Sequence, residues 1–351
     1  MNISKIEKED ILYIINENQL DNLQDSTFFI TGATGLVGGY FFKTIYLLNE
    51  LFNKNHKIIL LVRKPNAYIE YSNNDNVKII VQDVIDNINI EDKVDYVIHA
   101  AGVASPKIMK IDPVGTNLAN TLGTINTLNL AREKNAKCYL FISSREVYGE
   151  APNDVKFFTE DGKLGYLDHT NVRNCYAESK KNAENLLVAY NYQYGMNVKA
   201  VRLAHTYGPG IRIDDGRVQS DFLKNYLSNE NIIMKSTGAS IRTYTYIADA
   251  INAMFKIIML SPKNEIIYNV SDESNEISIR DLALTLVEIG KDNGKNIALK
   301  IDIPQKSNAS YAPFSKGILS SKKVRDLGYK TKFTVKEGFV RTIKHLEEQN
   351  I

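Results

Sequence analysis

Residues 27–38 read TFFITGATGLVG, a short apolar run that ends abruptly in a glycine-rich turn. Gly32, Gly35 and Gly38 let the backbone turn sharply and come close to a ligand. Free N–H groups at the start of the following helix would then bind a pyrophosphate. A plain strand-to-helix turn is the alternative, but the strand before the turn and the helical spacing over residues 40–52 together favour a dinucleotide site.

Apolar strands and helices alternate on both sides of this turn. Helical spacing recurs over residues 118–131 and 176–194, and the predicted strands cover residues 27–30, 57–62, 77–81, 94–99, 139–143 and 198–203. Near-continuous apolar strands separated by helices are typical of a parallel sheet covered on both faces. We therefore expect an α/β fold with a doubly wound parallel sheet of the Rossmann type.

The pattern changes beyond Tyr207, where the turn-rich loop GPGIRIDDGR precedes shorter strand-like and helical pieces. We expect a smaller α/β C-terminal lobe that completes a pocket at the carboxyl ends of the strands. The predicted domains are a helical N-terminal extension at 1–25, the dinucleotide-binding domain at 26–205, and a mainly substrate-binding lobe at 206–351. Some segments of that lobe are expected to return to the sheet. The extension is expected to pack on the main domain or on a partner subunit.

Composition excludes several other classes of protein. The 351 residues are 44% hydrophobic and 24% charged, and a net charge of +2 indicates neither a nucleic-acid nor a membrane partner. No apolar stretch approaches the ~20 residues of a membrane span. Cys138 and Cys175 lack metal-ligand spacing, so no metal is predicted. These features suggest a reduced, cytoplasmic enzyme.

A possible catalytic group follows the fifth strand. Tyr176 and Lys180 are four residues apart in CYAESKK, at the start of a predicted helix, so they share a face. An ammonium beside a phenol favours the phenolate, and we expect it to lower the pKa of Tyr176. Ser144 could hydrogen-bond the reacting hydroxyl, and Glu146 adds a second acid or base. A Tyr/Lys pair by itself usually lies on the protein surface and has no catalytic role. Because this pair occurs together with a dinucleotide turn and a strand-end serine, in the right order, it is a catalytic candidate.

The second strand ends in Arg63-Lys64, where a ribose-binding carboxylate would be expected for NAD. An arginine at this point can accept the 2′-phosphate of NADP. A solvated basic pair beyond the strand end is the alternative, so the choice between NAD and NADP stays open. Asp83, after the third strand, is expected either to hydrogen-bond the adenine or to cap a turn.

Five motifs occur together in order: TGATGLVG, HAAG, SSREVYG, YAESK and RLAHTYGPG. In this order and spacing the chain resembles the extended short-chain dehydrogenase/reductase family of nucleotide-sugar epimerases, dehydratases and decarboxylases, from Thr27 to near residue 340. The resemblance implies a Rossmann fold, catalysis by Ser144, Tyr176 and Lys180 with Glu146, and a lobe for a nucleotide sugar. It also implies that Asn120 supports the lysine through water. A homodimer formed through the helices at 118–131 and 176–194 is implied by the family alone.

The same resemblance implies a set of residues that contact the dinucleotide along the strand ends. These are Gly32, Thr34, Gly35, Leu36, Val37, Gly38, Arg63, Asp83, Val84, Ala100, Ala101, Gly102, Tyr176 and Lys180. The residues implied to contact the substrate are Ser144, Arg145, His205, Arg217 and Arg242. Of these, Arg242 matches the family's arginine that binds the nucleotide diphosphate, and Tyr246 and Asp249 match the positions that follow it in the family's motif.

Two segments, RNCYAESK and GPGIRIDDGRVQSDF, resemble the UDP-glucuronate decarboxylase group, whose patterns run RSCYDEGK and DGRVVSNF. Glu146 is shared with that group and with the 4,6-dehydratases, whereas simple 4-epimerases generally lack an acid there. Dehydratases carry Asp-Glu, and Arg145 replaces the Asp. The resemblance therefore favours a UDP-sugar and decarboxylation, a lyase reaction in carbohydrate biosynthesis.

The chain departs from that pattern at two places. His205 replaces a substrate-contacting Asn, and the Arg-x-Pro-Asp element appears as Tyr311-Ala312-Pro313-Phe314, without its arginine. That arginine is thought to assist protonation after carbon dioxide leaves. We hypothesise that Arg145 supplies the missing charge; the alternative is that Arg145 points to solvent or pairs with a surface acid.

The implied reaction begins when Tyr176 takes the proton of the sugar C4 hydroxyl while a hydride passes to the nicotinamide. A 4-keto sugar results, and Glu146 would handle protons near C5 and C6. The alternatives left open are a 4-epimerase, a 4,6-dehydratase and a ketoreductase. A non-catalytic dinucleotide sensor on the same fold is a remote alternative, since it would be expected to have lost Ser144, Tyr176 or Lys180.

Overall fold

The computed structural model describes residues 3–64, 66–150, 155–162, 165–303 and 318–349. Strands and helices alternate through its first part. In chain order they are α1 (Lys5–Asn18), β1 (Thr27–Thr31), α2 (Leu36–Phe52), β2 (Lys57–Val62), β3 (Val77–Val81), β4 (Tyr96–His99), α3 (Pro106–Ile111), α4 (Pro113–Glu133), β5 (Cys138–Ser144), α5 (Cys175–Tyr194) and β6 (Val198–Leu203).

The second part consists of shorter elements. They are β7 (His205–Tyr207), α6 (Val218–Leu227), β8 (Ile232–Met234), β9 (Ile241–Tyr246), α7 (Ile247–Leu260), β10 (Ile267–Val270), β11 (Glu276–Ser278), α8 (Ile279–Asp292), β12 (Leu299–Ile301), α9 (Lys322–Arg325) and α10 (Val335–Glu348).

Seven strands form one parallel sheet in the order β10-β6-β5-β4-β1-β2-β3. Alternate residues of β1 belong to two different hydrophobic cores, Phe28 and Ile30 to one and Phe29 to the other. Since successive side chains of a strand point to opposite faces, the sheet is covered on both sides. The predicted doubly wound α/β fold is confirmed.

Smaller sheets lie beyond the carboxyl ends of the large one. Strand β9 pairs with β7 in parallel and with β11 antiparallel, and β8 pairs with β12 in parallel. Residues of these sheets, including His205 of β7 and Arg242 of β9, line the same cavity as the strand-end residues Ser144 and Leu203. Strand β10, from the same part of the chain, pairs with β6 and so lies in the large sheet. Within the described ranges, no helix has both the length and the apolar character needed to cross a bilayer.

The N-terminal helix α1 packs on α2, α7 and α10. A capping box of Ser4 and Glu7 starts it, and Asn18 is its last residue. Asp10 is fully buried and accepts hydrogen bonds from Tyr40 at 3.1 Å and from Tyr246 at 2.7 Å. Arg341 donates to the same carboxylate at 2.7 Å. The helix is therefore fixed to the main body by a buried polar network as well as by apolar packing.

Candidate active site

One large cavity, of about 1040 Å³, runs along the carboxyl ends of the parallel strands. The glycine turn between β1 and α2 lines one part of it, and β9 with the loop before α6 lines another. Ser144, Tyr176 and Lys180 line the same cavity. The fold thus brings together the predicted dinucleotide turn, the catalytic candidates and the candidate substrate arginines.

The glycine turn has no room for side chains at two of its three glycines. Gly32 has φ +67°, and a Cβ on it would lie 2.5 Å from the carbonyl carbon of Ala100. A Cβ on Gly38 would lie 2.5 Å from the Gly32 oxygen. At Gly35, the N-cap of α2, a Cβ would meet only that oxygen, at 3.3 Å, so it would project into the cavity. The close-packed turn with exposed helix N–H groups fits a pyrophosphate.

Most of the predicted dinucleotide contacts lie along this part of the cavity. The lining includes Gly32, Thr34, Gly35, Leu36, Val37, Gly38, Arg63, Asp83, Val84, Ala100, Ala101 and Gly102. Arg63 and Lys64 are exposed just past the end of β2, and Arg63 reaches the cavity edge. The Asp83 carboxylate accepts the Ile85 N–H at 3.2 Å, which is the turn-capping role that the sequence left open.

The three catalytic candidates converge from two elements. Ser144 ends β5 and forms a hydrogen bond with Tyr176, which lies in the first turn of α5. Lys180, one turn later, is buried and donates to the Ile142 carbonyl at 2.7 Å. Its Nζ lies 5.7 Å from the centroid of the Tyr176 ring. These positions match a strand-end serine beside a Tyr/Lys pair on one helix face.

The charge state of the pair differs from the sequence prediction. Burial, and then the nearby Glu146 carboxylate, raise the pKa of Tyr176 to about 12, although Ser144, Arg217 and Arg173 lower it. Burial also lowers the pKa of Lys180 to about 7. The sequence led us to expect a lowered pKa for Tyr176, whereas in this structure burial and the Glu146 carboxylate raise it.

Asn120 of α4 lies behind the lysine. It is fully buried, its amide donates to the Ser179 hydroxyl at 2.9 Å, and its carbonyl oxygen has no hydrogen-bond partner among the residues that the structure describes. A Cβ built on Gly102 would lie 2.8 Å from that oxygen and 3.2 Å from Lys180 Nζ. Because both polar atoms flank the same point, a bridging water between them fits the geometry.

Sequence reasoning did not single out Arg173. It lies in a 3₁₀ turn (Val172–Asn174) directly before α5, and its two terminal nitrogens each lie 3.0 Å from an oxygen of Glu146. Both side chains line the cavity and are 12% and 21% exposed. The position of this arginine, three residues before Tyr176 in RNCYAESK, was the available signal.

The candidate substrate residues also reach the cavity. Arg145 is 4% exposed and donates to the Gly149 carbonyl at 3.3 Å, so the idea that it points to solvent is wrong. Burial, and then the charge of Arg242, lower the pKa of Arg145 to about 10. Arg217 is paired with Asp215 at 2.9 Å. Burial and the neighbouring arginines keep the pKa of His205 well below its usual range, so this residue is neutral.

Three predictions fall elsewhere. Tyr246 and Asp249 do not line the cavity: the Tyr246 hydroxyl donates to Asp10, and Asp249 accepts the backbone N–H groups of Lys332 and Phe333. Both residues therefore hold the fold together behind Arg242. The element at residues 311–314 lies outside the described residues, so the predicted loss of its arginine has no structural counterpart here.

Comparison with known proteins gives a consistent picture. The sequence profile of the NAD dependent epimerase/dehydratase family matches residues 28–271. UDP-glucuronic acid decarboxylase 6 of Arabidopsis thaliana is 28% identical over 332 residues, which cover 90% of this chain and 89% of that protein.

Solved structures with a similar fold include two enzymes. A Thermotoga maritima UDP-glucose 4-epimerase, solved with UDP-glucose, has a TM-score of 0.76 at 21% identity and covers 93% of this chain and 100% of its own. A Streptomyces venezuelae dTDP-glucose 4,6-dehydratase, solved with NAD, has a TM-score of 0.75 at 21% identity, with 92% and 98% coverage. At these identities the structures show a shared fold.

Proposed function

The chain belongs to the NAD dependent epimerase/dehydratase family, and from that premise we propose that it oxidises the C4 hydroxyl of a nucleotide sugar to a 4-keto intermediate. The family resemblance drawn from the motifs is confirmed. The observation that carries the proposal is the meeting of Ser144, Tyr176 and Lys180 with the glycine turn in one cavity. A dinucleotide-binding turn alone would serve many reactions, whereas these side chains add the proton transfer that sugar oxidation needs.

Each residue has a part in this reaction. Tyr176 takes the proton of the C4 hydroxyl, and Ser144 hydrogen-bonds the same oxygen as negative charge develops on it. Lys180 steadies the phenolate, with Asn120 behind it. When bound, the oxidised dinucleotide supplies a hydride acceptor for C4 and a cationic ring in the cavity. Glu146 is placed to act on protons near C5 and C6.

We favour a uronate as the sugar, and decarboxylation as the reaction that follows oxidation. Arg145, Arg173, Arg217 and Arg242 are four of the arginines that line the cavity, and the carboxylates of Glu146 and Asp215 are paired with two of them. The excess positive charge suits a diphosphate together with a sugar carboxylate. Arg145 is buried directly after β5 and lies close enough to Arg242 to feel its charge. It would supply the positive charge that the decarboxylase pattern otherwise takes from its C-terminal arginine. The similar Arabidopsis protein is itself named a UDP-glucuronic acid decarboxylase.

The 4-epimerases, the 4,6-dehydratases and the ketoreductases use the same three catalytic residues. Arg145 argues against dehydration, since it replaces the Asp of the dehydratase Asp-Glu pair. Product analysis distinguishes the four reactions. Pentose with carbon dioxide, a C4 epimer, a 6-deoxy-4-keto sugar or a net change in cofactor redox state would each identify one.

We propose NAD as the cofactor, in keeping with the family, and Arg63 makes NADP the serious alternative. Its guanidinium is exposed at the cavity edge just past β2, where the 2′ position of the adenosine ribose would lie in a Rossmann fold. Lys64 adds a second positive charge beside it. Two basic side chains at this position attract a 2′-phosphate, whereas the ribose-binding carboxylate of an NAD site would repel it.

A homodimer is the assembly that we propose. Two neighbouring helices expose apolar side chains at a spacing of four residues, Val114, Leu118 and Leu122 on α4 and Val188 and Tyr192 on α5. Because α4 and α5 pack side by side, these stripes form one apolar surface. A second copy of the chain would cover it.

The test is to incubate the protein with UDP-glucuronate and to follow carbon dioxide and UDP-pentose. The change Tyr176→Phe should lower turnover by about 10²–10⁴-fold, the usual contribution of a general base. The matched control is Tyr194→Phe, which removes a hydroxyl from an exposed tyrosine at the other end of the same helix. Normal turnover of Tyr176→Phe would rule out the proposed chemistry.

A further inference from the structure

The ion pair of Glu146 and Arg173 spans the two elements that carry the catalytic candidates. Glu146 lies two residues after Ser144, and its backbone N–H donates to the Ser144 hydroxyl at 3.2 Å. Arg173 lies three residues before Tyr176, in a turn where the Asn171 side chain accepts the Arg173 N–H at 3.0 Å. The pair therefore joins the turn after β5 to the 3₁₀ turn that directly precedes α5.

The geometry of the pair is that of a planar fork. Each terminal nitrogen of Arg173 lies 3.0 Å from a different oxygen of Glu146, so both carboxylate oxygens are fixed. Bidentate arginine–carboxylate pairs add orientation as well as energy. Both groups remain open to the cavity, so the orientation is imposed on a carboxylate that a substrate can reach.

We propose that Arg173 is a positioning residue that orients the ionised Glu146 carboxylate for the step after C4 oxidation and shields Tyr176 from its charge. This inference rests on the proposed function and assigns a part to a residue that does not itself react. In the oxidation step the C4 hydroxyl loses its proton to Tyr176, and the C4 carbon would lose a hydride to the bound dinucleotide as the C4=O bond forms. Glu146 takes part only afterwards.

The charges around the phenol support the shielding role. Burial and Glu146 raise the pKa of Tyr176, whereas Ser144, Arg217 and Arg173 lower it. Lys180 lies on the same helix, 5.7 Å from the ring centroid. The charge of Glu146 also reaches Arg145, Arg242 and Cys175. Removing Arg173 would leave Glu146 facing Tyr176 without its nearest counter-charge.

The experiment separates oxidation from the later step with UDP-glucuronate as the substrate. Stopped-flow absorbance of the reduced nicotinamide reports oxidation across a pH series, and released carbon dioxide reports turnover. Arg173→Met should lower turnover at neutral pH by about 10²-fold, the cost of a misplaced reacting group. It should also move the rising limb of the oxidation profile to higher pH. In the double variant Glu146→Gln/Arg173→Met both charges are gone, so the pH at which the oxidation rate rises should return to its wild-type value. Turnover should stay low.

Two further variants serve as controls. Arg173→Lys keeps the positive charge but cannot form the bidentate pair with Glu146. It should therefore restore the pH dependence of oxidation more fully than it restores the turnover rate. Arg325 makes an equally bidentate pair with Glu273 outside the cavity, at 2.7 and 2.9 Å, so Arg325→Met should change neither quantity. Thermal melting of each variant accompanies the kinetics.

The possible results decide the matter. Wild-type turnover in Arg173→Met would overturn the inference. The inference would also be overturned if Arg173→Met lowered the rates of oxidation and turnover equally, left the pH dependence of oxidation unchanged and lowered the melting temperature. Those three changes together would show a purely structural role for Arg173. If the wild-type protein does not reduce its dinucleotide with UDP-glucuronate, the proposed function fails first and the inference fails with it.

Discussion

Adding single methyl groups to the glycine turn should separate ligand binding from helix packing. Gly35→Ala places a methyl group in the cavity, with one protein atom at 3.3 Å. Gly38→Ala drives a methyl group into the Gly32 carbonyl at 2.5 Å, so the start of α2 must move away from the turn. Gly39→Ala is the matched control, because Gly39 follows in the same helix but does not line the cavity.

The expected magnitudes follow from these distances. Both cavity variants should disturb the backbone N–H groups that receive the pyrophosphate, and a hydrogen bond to a charged group contributes about 1.5–3 kcal/mol. That corresponds to a roughly 10–150-fold weaker Kd. Overpacking at Gly38 costs about 1–3 kcal/mol, partly offset by about 1 kcal/mol of helix propensity. At the N-cap, alanine in place of Gly35 costs about 0.5–1 kcal/mol.

The assay has two parts. Calorimetric titration with NAD and with NADP, on protein freed of bound dinucleotide, gives the Kd of each variant, and urea unfolding gives the free energy of unfolding. Gly35→Ala and Gly38→Ala should both bind at least 10-fold more weakly. Gly39→Ala, whose methyl group would lie 3.0 Å from the Ala33 oxygen, should bind as the wild type does.

The reasoning is refuted if the three variants bind either dinucleotide equally well. In that case the turn would be a plain strand-to-helix connection, the alternative that its sequence left open. Loss of binding in Gly38→Ala alone, in proportion to lost stability, would also count against it. Such a result would mean that helix packing, and not approach of the backbone to a ligand, requires the glycines.

Three further predictions concern other parts of the molecule. Arg63→Ser should weaken NADP binding by about 10-fold or more, as expected when a charge-assisted hydrogen bond is lost, and leave NAD binding nearly unchanged; equal effects on both cofactors in calorimetry would exclude a 2′-phosphate contact. Val188→Glu, on the exposed stripe of α5, should convert a dimer to a monomer in light scattering, and a dimer of unchanged affinity would show that another surface is used. Arg341→Met should lower the free energy of unfolding at pH 7 by about 3 kcal/mol, because the Asp10 carboxylate is left buried without its counter-charge; urea unfolding measures this, and an unchanged value would contradict it. Since burial raises the pKa of Asp10 from 3.8 to about 6, its protonated form favours folding, and that contribution should fade as pH rises through about 6, a slope that Asp10→Asn should lack.

The parallel strands were predictable because each is a compact apolar run. Lys57–Val62, Val77–Val81 and Val198–Leu203 have the predicted bounds. Boundaries set by capping were less accurate. The helix predicted over 118–131 in fact begins at Pro113, after the Asp112 cap. This start was missed because the first turn, Pro-Val-Gly-Thr, contains residues of low helix propensity. The strand predicted from residue 94 begins at Tyr96.

The candidate site was predictable only as far as chain order determines it. Ser144, Tyr176 and Lys180 follow from a strand end and a four-residue helix spacing. The pairing of Arg173 with Glu146 depends on how two turns meet in space, which no local pattern encodes. The raised pKa of Tyr176 depends on burial, and so does the inward position of Arg145. Such quantities arise from packing between segments that are distant in the sequence.

The N-terminal extension shows how a segment outside the family match can still bear on the site. The match begins at residue 28, after α1. Yet the buried Asp10 carboxylate of α1 accepts hydrogen bonds from the hydroxyls of Tyr40 and Tyr246. Tyr40 lies on α2, which starts at the glycine turn, and Tyr246 lies on β9, which carries Arg242. One carboxylate thus ties the dinucleotide side of the cavity to its substrate side. This explains why Tyr246 lies in register with Arg242 without reaching the cavity: it fixes the end of the strand on which that arginine is held.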